Sequence, residues 1–145
     1  MRGYFGIGVY HPKTSENIGT LWRSAFLMGA DFIFTIGKRY RKQPTDTPNT
    51  QLHVPLWEFE TWEDFLSHIP EKSEVVCIEM SPKAKDLREA NHPERAVYVL
   101  GAEDKGIPEK YLAGRQTLVI PSEKPFSFNV AVAGSIVLYD RLLKS

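Results

Sequence analysis

The sequence predicts an α/β protein, a parallel sheet with helices on both faces. Three observations carry this. Short runs rich in β-branched and aromatic residues alternate with stretches of helical periodicity along the whole chain. Two of the runs, Val75-Val76-Cys77-Ile78 and Ala96 to Leu100, are apolar throughout, as strands covered on both sides are. The helical stretches fall between strands, where parallel pairing needs a crossover. With 145 residues and neither repeat nor linker, the chain reads as one domain, 1–145.

Tyr4 to Tyr10 is aromatic and β-branched and ends at His11-Pro12, so it is a strand. Ser15 caps a helix from Glu16 to about Met28. Its Ile18, Leu21, Trp22, Ala25 and Met28 keep helical spacing, and Gly29 stops it. Asp31 to Ile36 is the second strand. Gly37 to Pro55 is polar and aperiodic, a long loop of the kind that often carries function. Leu56 to Phe59 is a short strand, and Thr61-Trp62-Glu63-Asp64 is a capping box opening a helix to about His68. Glu74 to Met80 is a strand, Pro82 to Arg88 a short helix, and Ala96 to Leu100 the next strand. A helical turn at Glu109 to Leu112 leads to the last strand, Gln116 to Ile120. A long helix then runs from about Phe128 to Leu143.

Composition removes several classes of function. Lys+Arg 18 equals Asp+Glu 18, so net charge gives no vote for nucleic acid, although a balanced total can hide a local basic patch. One cysteine excludes an intrachain disulfide framework and a zinc thiolate cluster. His11, His53, His68 and His92 lack metal-ligand spacing and read as surface or turn residues, so no metal is expected. Cys77 reads as inert core, and Trp22, Trp57 and Trp62 as structural. The first ten residues are too quickly polar for a signal peptide, and no apolar run approaches the ~20 residues of a membrane span. The expectation is a soluble cytoplasmic protein.

In such a sheet ligands bind beyond the carboxyl ends of the strands, and three segments sit there. The first is Asn17-Ile18-Gly19-Thr20-Leu21-Trp22-Arg23. Asn17 lies near a helix N-terminus, where backbone amides favour anions, and Arg23 offers a planar fork suited to phosphate or carboxylate. Taken alone, it is an amphipathic helix with a solvated Arg. The second is Leu100-Gly101-Ala102-Glu103-Asp104-Lys105-Gly106-Ile107-Pro108. Gly101, directly after a buried strand, lets a ligand approach the backbone, and Glu103 places a carboxylate beside it. The segment lacks both the P-loop and the dinucleotide fingerprint. In the third, Ile120-Pro121 begins a bend with prolines at 121 and 125. Ser127 and Asn129 then stand at the mouth of an apolar helix rich in small residues.

Together and in this order, the segments resemble the three motifs of the SPOUT superfamily, in its SpoU/TrmH branch of RNA ribose 2'-O-methyltransferases. Asn17, Gly19 and Arg23 match the first; Leu100, Gly101, Glu103, Gly106 and Pro108 the second; Ile120, Pro121, Ser127, Asn129, Val130, Leu138 and Tyr139 the third. The resemblance runs from Tyr4 to Leu142. Ser122 and Phe128 depart from it where the family often has Met and Leu. These departures alter the wall of a cofactor pocket without removing a polar group.

The resemblance implies a C-terminal deep trefoil knot, which sequence physics alone would not suggest because knots are nearly absent among folds. It implies S-adenosylmethionine (SAM) as methyl donor, held at Ile78, Gly101, Ile120, Ser127 and Phe128. It implies transfer to a ribose 2'-hydroxyl with Arg23, Asn17, Glu103 and Asn129 as the catalytic set. It further implies a homodimer with the active site at the subunit interface, where Leu21, Trp22, Phe126 and Phe128 supply apolar contact. Minimal members of this kind act mainly on tRNA. An rRNA 2'-O-methyltransferase and a non-catalytic knotted RNA-binding protein are the alternatives. A guanidinium stays charged at physiological pH, so Arg23 reads better as an electrostatic clamp than as a base. Independently, Lys38-Arg39-Tyr40-Arg41-Lys42 joins charge to a stacking ring, making Arg39, Arg41 and Lys42 candidate RNA contacts.

Overall fold

A computed structural model describes residues 3–37, 53–102 and 105–145. Among these residues seven strands form one sheet: β1 (Tyr4–Tyr10), β2 (Phe32–Ile36), β3 (Leu56–Phe59), β4 (Glu74–Ile78), β5 (Lys85–Asp86), β6 (Arg95–Gly101) and β7 (Gln116–Val119). Their spatial order is β3-β2-β1-β6-β4-β7-β5, and every pairing is parallel. The helices are α1 (Ser15–Met28), α2 (Trp62–His68), α3 (Glu109–Leu112) and α4 (Val130–Leu143). The predicted fold class holds: a parallel sheet between two helical layers.

Two apolar clusters explain the continuous apolar strands. On one face Ile7, Val9, Val76, Tyr98 and Leu100 pack under α1 and α4, through Ile18, Leu21, Ala25, Val137 and Leu138. On the other, Phe32, Phe34, Cys77, Val97 and Val99 pack with Trp62 and Phe65 of α2 and Leu112 of α3. Strands β4 and β6 therefore bury side chains both ways, as parallel strands do. A Cβ on Gly134 of α4 would stand 2.5 Å from Leu21 Cδ1 and 2.9 Å from Leu100 Cδ1, so any larger residue would make those two buried leucines shift. Ser135 Oγ donates to Ser24 Oγ at 2.7 Å across the same helix pair.

Register places the strand ends. Ile78 pairs with Leu100 on one side and Leu118 on the other, so β4, β6 and β7 finish level. Tyr10 pairs with Ile36 and Gly101, levelling β1, β2 and β6.

The structure corrects three local expectations. Thr14, not Ser15, caps α1: its backbone is extended (φ −131°, ψ 147°) and its Oγ1 accepts from the Asn17 amide. The helix expected over Pro82 to Arg88 is replaced by β5, pairing with Leu118 and Val119, and a 3-10 turn at Leu87–Glu89. Pairing with the β7 edge overrides weak helical patterning there, and Asp86 caps the turn by accepting from the Arg88 amide at 2.8 Å. His92 is no surface residue; its side chain is fully buried. Its Nε2 bonds Asp140 and its Nδ1 bonds the Tyr98 hydroxyl, both at 2.7 Å.

Candidate active site at the strand ends

A cavity of about 260 Å³ opens where β4, β6 and β7 end level. Its walls include Ile78, Gly101, Ile120, Ser127 and Phe128, which are the five positions read as cofactor contacts. Leu100 and Val130 complete an apolar wall, and Ala133 keeps the α4 side shallow. The volume lies just below the ~300–1,000 Å³ usual for small-molecule sites. All of residues 121–129 are exposed, so this segment forms an outer wall rather than core. It is held by Ser122 Oγ donating to Lys124 O (2.7 Å) and by Ser127 Oγ contacting Met80 Sδ (3.2 Å).

The sequence reading missed Glu79, the first residue beyond β4. Its carboxylate lines the cavity, and its Oε2 accepts from the Ile107 amide at 2.6 Å. That bond draws the turn after β6 against the end of β4. The close approach at Gly101 is thus filled from within the chain. A Cβ there would stand 2.7 Å from Glu79 Oε2 and 2.8 Å from Gly106 Cα. Gly106, at φ 63°, has the carboxylate still closer. The available signal was positional: a carboxylate immediately after an apolar strand, at the end where ligands bind.

Two helix starts meet beside the cavity. Asn129 caps α4, its Oδ1 accepting from the Ala131 (2.9 Å) and Val132 (3.2 Å) amides. Its Nδ2 donates to Asn17 Oδ1 at 3.0 Å. The structure therefore joins two residues of the expected catalytic set that lie 112 positions apart. Arg23 is exposed on α1, two turns further along. Glu103, Arg39, Arg41 and Lys42 lie outside the described residues.

Two expected interface residues are internal instead. Leu21 is 1% exposed, and Trp22 Nε1 donates to Val54 O at 2.8 Å. Phe126 (76%) and Phe128 (37%) are exposed as expected, along with Leu27, Val132, Tyr139, Leu142 and Leu143. Cys77 is buried as read, and burial pushes its thiol up to about 12.

Known proteins share this architecture. One solved structure, described as giving insight into the 2-OH methylation of C/U34 on tRNA, is 26% identical, with a TM-score of 0.78 over 100% of this chain and 94% of its own. The TrmH/SpoU tRNA modifying enzyme of A. aeolicus is 19% identical, with a TM-score of 0.86 over 99% of this chain and 76% of its own. The SpoU methyltransferase AviRb from Streptomyces viridochromogenes, solved with the cofactor AdoMet, is 15% identical, with a TM-score of 0.83. The superposition covers 99% of this chain but 58% of that longer protein. Among curated proteins nothing matches. The SpoU rRNA Methylase family matches over residues 5–139, from the first strand into the small-residue helix, and with motifs and sheet in agreement the chain belongs to that family of RNA methyltransferases.

Proposed function

We propose that this protein transfers the methyl group of SAM to a ribose 2'-hydroxyl of tRNA. One observation carries the reading: the five residues expected to hold the cofactor line a single cavity, beside the Asn17–Asn129 bond. The tRNA choice draws on the likeness that spans both chains almost completely.

The cavity suits SAM in its chemistry. Ile78, Leu100, Ile120 and Phe128 offer apolar surface, while Glu79 and Ser127 are polar groups at its edge. When bound, SAM supplies a methyl group on a positively charged sulfur that is already a good leaving group. The protein's task is then positioning and handling the hydroxyl proton. Asn17 and Asn129, each fixed by the other, orient ribose or phosphate. Arg23 clamps phosphate and the oxyanion that develops as the proton leaves. Glu103 supplies a carboxylate to hold that arginine.

Arg23 serves the active site of the opposite subunit. Supporting a homodimer, apolar side chains of α1, α4 and residues 121–129 stand exposed, including Leu27, Phe126, Val132 and Leu142. Supporting a knot, β7 enters the sheet between β4 and β5, and Ser127 contacts Met80 before α4 packs on α1. The enzyme works in the cytoplasm. The reading is tested by offering labelled SAM with undermodified total tRNA and, separately, ribosomal RNA. A methylated nucleoside from the tRNA pool is expected; label in ribosomal RNA alone would move the substrate, and no SAM binding at all would favour a non-catalytic RNA-binding protein.

A further inference from the structure

A second cavity, of about 430 Å³, opens at the ends of β1, β2 and β6 and shares Ala102, Lys105 and Gly106 with the first. Its other walls include Tyr10, His11, Lys13 and Gly37. The described lining contains two ammonium groups and no carboxylate.

His11 is held there against backbone preference. Its φ is 51°, a region that non-glycine residues seldom occupy and that structures keep where something depends on it. Its amide donates to Ile36 O at 2.8 Å, tying it to the end of β2. One ring face lies on Tyr10, with centroids 4.2 Å apart and planes 20° apart. The ring edge rests over Gly37, where a Cβ would stand 2.5 Å from His11 Cδ2 and Nε2. Gly37 itself has φ 90°. Two unusual backbone conformations on adjacent strand ends thus converge to fix one exposed imidazole in a cleft beside the first cavity.

We infer that this cleft seats the target nucleotide of the RNA, with its base against the His11–Tyr10 stack and its phosphate paired with Lys13 and Lys105. The assignment rests on the RNA methyltransferase reading above. Stacking on a ring tolerates any base because every base has a π-face; two ammonium groups attract the phosphate as point charges. A nucleotide so held sets its ribose between base and phosphate, at the wall the two cavities share. His11, Lys13 and Lys105 are then substrate-binding residues for the reaction.

The test titrates isotope-labelled full-length protein with SAM, then with each of the four ribonucleoside 5'-monophosphates, and separately with inorganic phosphate, following amide and imidazole NMR signals. The nucleotides are expected to shift Tyr10, His11, Gly37 and Gly106 saturably, and SAM to shift Ile78, Gly101 and Ile120. His11→Asn keeps a residue that tolerates positive φ. It should weaken nucleotide binding at least fivefold and leave SAM binding within twofold. Lys13→Ala, whose side chain lines only the second cavity, should do the same. Nucleotide shifts located elsewhere, or identical shifts from inorganic phosphate at equal concentration, would overturn the assignment. Failure of SAM to shift its cavity would instead sink the methyltransferase reading, and the cleft would be judged on the nucleotide signals alone.

Discussion

In the proposed reaction Arg23 concentrates the chemistry into one side chain. It stands exposed on α1, two turns beyond Asn17. Losing a donor aimed at a developing oxyanion typically costs about 10²–10³ in turnover. Arg23→Ala should therefore lower methyl transfer by about that factor with SAM affinity unchanged by calorimetry. Arg23→Lys should recover little, because an ammonium lacks the fork; near-normal turnover in that variant would remove the clamp role. Glu79 acts differently. Glu79→Ala leaves the Ile107 amide without its acceptor, at a cost of about 1–3 kcal/mol. Denaturant unfolding should show that loss, and SAM binding should weaken as the turn after β6 loosens. A variant as stable as the parent would show the bond to be incidental. That Gly101 lines the cavity and that Asn17 and Asn129 meet beside it was legible, because the types and order of these motif residues are distinctive. Glu79 was not, since a single carboxylate after a strand looks like any strand end until the partner turn is seen.

At the scale of elements, the start of α4 joins fold to site. Asn129 satisfies two helix amides and reaches Asn17 at once. Asn129→Ala should cost about 1–2 kcal/mol through the lost cap and lower turnover as well. Asn129→Asp separates the two roles. It keeps an oxygen for the cap, so stability should largely return, but it removes the amide donor to Asn17, so transfer should stay depressed. Full activity in the Asp variant would show that the link does not matter. Most elements could be read from periodicity and caps: Thr61 caps α2 as expected, Asp64 N donating to Thr61 Oγ1 at 3.0 Å, although the Asp64 carboxylate accepts from the Glu60 amide (3.1 Å) and not from the Thr61 amide that would close a capping box. The strand Lys85–Asp86 could not, because two polar residues have no pattern and become a strand only by pairing with β7.

Across the whole molecule, a buried polar cluster fastens the end of α4 to the approach to β6. Arg141, 2% exposed, donates to Pro93 O (2.7 Å), Glu94 O (3.1 Å) and the Tyr98 hydroxyl (3.0 Å). Lys144 pairs with Asp140 at 2.8 Å and donates to Leu87 O at 2.9 Å. His92 sits among these groups, and burial holds its pKa below the ordinary value despite the opposing pull of Asp140. The neutral ring takes the Tyr98 hydroxyl at Nδ1 and faces Asp140 with Nε2. Between the depressed folded value and the ordinary ~6.5, the unfolded chain binds a proton that the folded chain refuses. Stability therefore rises with pH through that window and is lost as pH falls through the folded value. Denaturation midpoints measured from pH 5 to 8 should fall on the acid side, and His92→Gln should flatten that slope; equal slopes would take His92 out of it. The parallel sheet between two helical layers was legible from strand–helix alternation. The burial of His92 was not, since it depends on α4 returning to the sheet 48 residues later.

The proposed reaction is methyl transfer to a ribose oxygen at the cavity where β4, β6 and β7 end. The direct measurement is to methylate undermodified tRNA with labelled SAM and digest the product with alkali. Alkaline cleavage requires a free 2'-hydroxyl, so a ribose-methylated linkage survives as a labelled dinucleotide. Ribose methylation predicts label in an alkali-resistant dinucleotide, with Arg23→Ala giving about a hundredth of the yield or less. Label recovered wholly in mononucleotides would place the methyl on a base and contradict it.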